Sequence, residues 1–64
     1  MHTIANAPRL IRLPEVLSRI GVSRSTLYAM IQRGMFPASR KLSPRVAVWS
    51  DSEVSRWVTV TLAA

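Results

Sequence analysis

The sequence predicts a mainly α-helical fold, with a short β-hairpin between the second and third of three helices. Three observations predict it. Apolar residues recur at helical spacing in three separate stretches, and each stretch is opened by Pro, Ser or acidic residues suited to a helix start. The period shortens to that of strands between Ala38 and Ser50. The chain has 64 residues and no cysteine. A chain of that length buries about 60% of the surface its unfolded form exposes, so one small core is the ceiling.

Residues 1–8, polar and alanine-rich without periodicity, read as a flexible leader, and residues 9–58 as the folded domain. Arg9-Leu10-Ile11-Arg12 is short enough to be a strand and too short to decide. Leu13, Val16, Leu17 and Ile20 then fall at i, i+3, i+4 and i+7, one face of a helix. Pro14 suits the first turn, where no N–H partner is lost, and Glu15 complements the positive end of the dipole. Gly21 supplies the left-handed residue that stops the helix.

Ser23 caps the second helix, with Ser25 or Thr26 as the amide its hydroxyl accepts from. Val22 and Leu27 have the spacing of a hydrophobic staple. Leu27, Met30 and Ile31 form the inner stripe, and Gly34 with Phe36-Pro37 ends the helix. Arg40-Lys41-Leu42, Ser43-Pro44-Arg45 and Val46-Ala47-Val48-Trp49 read as strand, turn and strand. Ser50 and Glu53 form a capping box for a third helix, with Val54, Trp57 and Val58 inward. Thr59-Val60-Thr61 forms helix weakly, so residues 59–64 are expected to fray.

Composition removes several functions. Without cysteine there is no thiol chemistry and no zinc finger. No apolar run approaches the roughly 18 residues of a membrane span. Ala5-Asn6-Ala7 imitates a signal-peptidase site but has no apolar segment before it, so a cytoplasmic location is expected. The one histidine is His2, in the leader, and Glu15, Asp51 and Glu53 each sit at a helix start, where capping explains them. Gly21 and Gly34 are too far apart for a phosphate loop. No enzyme, cofactor, metal or small-molecule substrate is expected.

Nine Lys and Arg against three Asp and Glu leave +6, and eight of the nine are arginine, whose planar fork suits phosphate. Two short helices joined by so tight a turn make a helix-turn-helix, and the basic hairpin after it makes a wing. Small helical domains also use such pairs purely for packing. The exposed residues of the second helix argue for more. Arg24, Ser25, Tyr28, Gln32 and Arg33 carry no negative charge, whereas an ordinary solvated helix face mixes signs. Arg40, Lys41 and Arg45 cluster on the hairpin. An α-helix fits the B-DNA major groove by width, so double-stranded DNA is the expected partner.

The text from Arg9 to Trp57 resembles the AlpA family of prophage regulators, within the wider excisionase- and MerR-like winged helix group. Leu13-Pro14-Glu15-Val16, then Gly21-Val22-Ser23-Arg24-Ser25-Thr26-Leu27-Tyr28, carry the likeness. Gly34 with Phe36-Pro37, and Val48-Trp49 with Glu53-Val54 and Trp57, complete it. The resemblance implies a winged helix-turn-helix regulator of transcription, or an accessory factor for excision of a prophage or genomic island. It implies Ser23, Arg24, Ser25, Thr26 and Tyr28 at the start of the recognition helix, and Lys41 and Arg45 on the wing. Two positions depart from the pattern: Ala29, often basic or polar, implies one contact fewer. A wing tip without glycine implies a wider hairpin turn.

Individual roles follow from chemistry. Arg24 reaches either guanine or phosphate, with phosphate favoured because half to two-thirds of protein–DNA hydrogen bonds go to the backbone. Tyr28 can stack on sugar or a thymine methyl, and Gln32 can read adenine. Trp49 and Trp57 are expected in the core, and Arg9, Arg12, Arg19 and Arg56 to supply solubility and long-range attraction. Further copies on adjacent half-sites are expected because one helix reads few base pairs. The alternative from another class is a small anti-regulator that grips an acidic protein through the same positive face.

Overall fold

The computed structural model describes residues 9–64. The leader expected over 1–8, with His2 and the Ala5-Asn6-Ala7 motif, lies outside the described residues. The order of elements is β1 (Leu10–Arg12), α1 (Leu13–Ile20), α2 (Arg24–Gln32), β2 (Arg40–Ser43), β3 (Val46–Ser50) and α3 (Asp51–Ala63). This is three helices with a small antiparallel sheet, the arrangement of a winged helix-turn-helix.

Local chemistry explains the helix ends. Pro14 sits in the first turn of α1, and Gly21 closes it at φ 72°, its N–H donating to the Leu17 carbonyl at 2.8 Å. Ser23 caps α2 by accepting from the Thr26 N–H at 3.2 Å. At the other end Gly34 takes φ 73°. Its N–H donates to the Ile31 carbonyl at 3.0 Å, and the Met35 N–H donates to the Met30 carbonyl at 2.8 Å. That pair of bonds is a Schellman motif, which satisfies carbonyls the helix end would leave bare.

Arg9–Arg12 does pair, and with a partner remote in sequence. The strand order is β1-β3-β2, with Ile11 opposite Trp49 and Arg12 opposite Val48. Arg40 also lies opposite Val48, from the other side. Paired residues share a face, so Ile11 and Trp49 point to the core while Arg12 and Arg40 flank Val48 on the reverse. Val48 is nonetheless buried, at 3% exposure. The aliphatic stems of the two arginines stand where they can cover it.

The core is Ile11, Val16, Leu27, Phe36, Trp49 and Val54, with Leu13, Leu17, Ile20, Val22, Met30, Ile31 and Trp57 packed around it. Each helix contributes one fully covered residue, and the sheet contributes Ile11 and Trp49. Both tryptophans also bond the connection between α2 and β2. The Trp49 indole N–H donates to the Pro37 carbonyl at 2.9 Å, and that of Trp57 to the Met35 carbonyl at 2.7 Å. Phe36 meets Trp57 edge-on at 5.0 Å. The segment that sets the hairpin relative to α2 is therefore held by both indoles.

Three expectations are corrected. Helix α3 does not stop near Val58 but continues through Ala63. Its residues from Thr59 onward are exposed, and Ile20, Trp57, Val58, Thr61 and Leu62 border one open groove there. The hairpin turn is not wide: Pro44 and Arg45 alone make it. No residue other than glycine has positive φ among the described residues, so the turn is not of the primed kind that matches strand twist. The mismatch is taken up by a register shift between Lys41 and Ser43, which leaves Leu42 as an extra, exposed residue. Finally, the capping box at Ser50 is half formed. Ser50 accepts from the Glu53 N–H at 3.3 Å, while the Glu53 carboxylate turns to Arg40.

Candidate nucleic-acid interface

Leu27 is fully buried and turns α2 so that its opposite face is open. Ser23, Arg24, Ser25, Tyr28, Ala29 and Gln32 line one shallow, open concavity along that face. Five of these are residues the sequence singles out, brought together by the 3.6-residue turn. The sixth, Ala29, was expected only as a missing contact. Having no side chain beyond Cβ, it leaves space between the larger residues around it.

Thr26 and Arg33, also expected at the site, do not line the concavity. Thr26 serves the cap: its hydroxyl lies 2.9 Å from that of Ser23. Ser25 joins the same hydroxyl cluster at 3.4 Å. Arg33 is the C-terminal cap residue of α2 and is exposed. Arg40, Lys41 and Arg45 are exposed on the hairpin, outside the concavity. Tyr28 is 43% exposed, and no other aromatic ring lies on this face.

Charge is partitioned across the molecule. The chain has three carboxylates, and each is matched by arginine. Asp51 holds Arg19 at 2.5 Å and Arg9 at 3.4 Å, Glu15 holds Arg9 at 3.3 Å, and Glu53 holds Arg40 at 3.6 Å. Arg19 also donates to Ser55 at 2.7 Å, tying α1 to α3. The Arg19 hydrogen bond holds the Asp51 carboxyl below its ordinary 3.8, against some desolvation and with help from the Arg19 and Arg9 charges and Ser55. Arg9 and Arg19, expected to provide general attraction, are instead parts of a structural network.

Six cations make no ion pair among the described residues: Arg12, Arg24, Arg33, Lys41, Arg45 and Arg56. Four of the six are on α2 and the hairpin. The net charge of +6 thus sits mainly on the two elements expected to face DNA, while the acids lie on α1 and α3. Sequence reasoning missed the partners of Arg9, Arg19 and Arg40, because none of these pairs has the i, i+3 or i, i+4 spacing that signals one.

Among the described residues no group of three or more His, Cys, Asp or Glu could hold a metal ion. No helix there is long and apolar enough to cross a membrane.

Comparison with known proteins agrees with this geometry. The family profile described as Prophage CP4-57 regulatory protein (AlpA) matches residues 9–62. The chain is similar to the uncharacterized protein ORF88 of Enterobacteria phage P4, 40% identical over 55 residues. That alignment covers 86% of this chain, which spans only 62% of the length of the phage protein. It is also similar to the DNA-binding transcriptional activator AlpA of Escherichia coli K12, at 28% identity over 60 residues, 84% of this chain and 86% of that protein. No solved structure matches. The chain belongs to the AlpA family of prophage regulatory proteins.

Proposed function

We propose that the chain is a sequence-specific, double-stranded DNA-binding regulator of a prophage or genomic island, acting on transcription, on excision or on both. Helix α2 enters the major groove with Arg24, Ser25, Tyr28 and Gln32 toward the base edges, and Ser23 and Thr26 hold its start. Lys41 and Arg45 of the hairpin, with Arg33, grip the sugar-phosphate backbone. Catalysis and cofactors play no part, and such a regulator works in the cytoplasm, where the DNA is.

The partition of charge carries this reading. A basic face formed by a helix and a hairpin, on which Arg40 alone is paired with an acid, is suited to a polyanion. The name of the Escherichia coli relative, a DNA-binding transcriptional activator, supports it.

Affinity for a duplex, measured from low to physiological salt, tests the reading. About four to six phosphate contacts should each contribute about 0.9 to the log–log slope. Lys41→Ala and Arg45→Ala should weaken binding about equally on all sequences. Arg24→Ala and Tyr28→Ala should also degrade discrimination, by about 1–3 kcal/mol per lost base contact. A flat salt response, or equal affinity for single strands, would sink the proposal. Binding to an acidic protein that survives duplex competition would favour the anti-regulator instead.

A further inference from the structure

We propose that Glu53 sets the contribution of the hairpin to DNA affinity by competing with phosphate for Arg40, an inference that rests on the DNA reading above. Both partners are held in place by backbone. Arg40 opens β2 in register with Val48, and Glu53 has its N–H fixed by the Ser50 cap at 3.3 Å. Their side chains meet at 3.6 Å, on an arginine 72% exposed and a carboxylate 39% exposed. Arg56 lines the same cleft as Glu53 but does not pair with it, so Arg40 is the cation within 4.0 Å of that carboxylate.

The other basic residues of the interface have no such rival. Arg24, Arg33, Lys41 and Arg45 make no ion pair among the described residues, so phosphate meets each as a full charge. At position 40 phosphate meets a neutralised pair. Drawing Arg40 to phosphate forfeits its pair with Glu53, so the gain at one contact is offset by the loss of the other. The pair is too exposed to matter much for folding. Its effect is on binding: it mutes one backbone contact on the hairpin and leaves more of the discrimination to α2.

The test is a double-mutant cycle on duplex binding, with Glu53→Gln, Arg40→Gln and the double variant. Glu15→Gln serves as a control of equal charge change, because Arg9 keeps Asp51 at 3.4 Å when Glu15 is neutralised. Expected for Glu53→Gln is about fivefold tighter binding at low salt, the size of one charge contact near 4 Å in water. Its salt slope should steepen by about 0.9. Arg40→Gln should change wild-type affinity by less than about twofold, yet undo the whole gain in the Glu53→Gln background. An equal loss from Arg40→Gln in both backgrounds, or an equal gain from Glu15→Gln, overturns the proposal. If Glu53→Gln does not fold, Arg40→Gln alone decides, since a loss of about fivefold in the wild type is incompatible with a muted contact. A wild type that binds no duplex overturns the DNA reading itself, and is told apart by that result.

Discussion

Asp51 ties three elements together. Its carboxylate takes Arg19 from α1 and Arg9 from the approach to β1, and its N–H donates to the Arg9 carbonyl at 2.8 Å. Because the Arg19 hydrogen bond lowers its pKa in the folded chain, the carboxylate stabilises the fold while it is charged. That stabilisation is complete above the ordinary value of 3.8 and is lost as pH falls through the lower folded value. Asp51→Asn should therefore lower the melting temperature by a constant amount from neutral pH down to about 4, and the gap to wild type should close below that. A gap that persists unchanged at about pH 2 would show the network to be electrostatically idle. Trp49 matters by a different route. Trp49 is 1% exposed and its indole holds the Pro37 carbonyl, so Trp49→Phe loses packing and strands a part-buried acceptor. The hydrogen-bond part alone should cost about 1–3 kcal/mol in a denaturant titration. Full stability would mean that water or another donor takes the carbonyl.

At the scale of elements, the helices were legible because their signals are local. Ser23, Gly21 and Gly34 do what their chemistry requires wherever the surrounding chain goes. Each has a definite cost when removed. Ser23→Ala should cost about 1 kcal/mol through the unsatisfied Thr26 amide. Gly34→Ala meets no atom within 4 Å, so only the left-handed backbone opposes it, at about 1–2 kcal/mol. A chain this small draws about 3–5 kcal/mol from its core, so the double variant should be partly unfolded at room temperature by circular dichroism. Two fully folded single variants and a fully folded double would mean a more stable core than this. What was not legible was non-local. Nothing in Arg9–Arg12 announces that it pairs with β3, forty residues on. The continuation of α3 through Thr59-Val60-Thr61, all three exposed, has no signal in local propensity. The bulge at Leu42 follows from a turn whose two residues, Pro44 and Arg45, do not take positive φ.

For the whole molecule, the residues of the α2 face could be read from sequence because one helical turn generates the face, whereas the charge pairing could not. What that face can achieve alone is limited by its length. Helix α2 has 9 residues, and a reader of that size touches about three base pairs. At about 2 kcal/mol for each, the discrimination is about 6 kcal/mol. A genome offering about a million competing sites demands about 8 kcal/mol, at 1.4 kcal/mol per factor of ten. A single copy falls short. Two copies on adjacent half-sites would exceed the requirement, and a weak contact between them suffices once DNA raises their effective concentration. In solution a charge of +6 on each copy opposes association. The exposed Val60 and Leu62, at 61% and 81%, are apolar residues of α3 outside the α2 face and are open to such a contact. The expected behaviour is a monomer or weak dimer by sedimentation without DNA, and several copies on a natural site spaced by about one helical turn. Leu62→Lys should remove the cooperativity while sparing affinity for an isolated half-site. A monomer that footprints one half-site tightly and specifically would refute the arithmetic, because α2 would then be reading more sequence than its length allows.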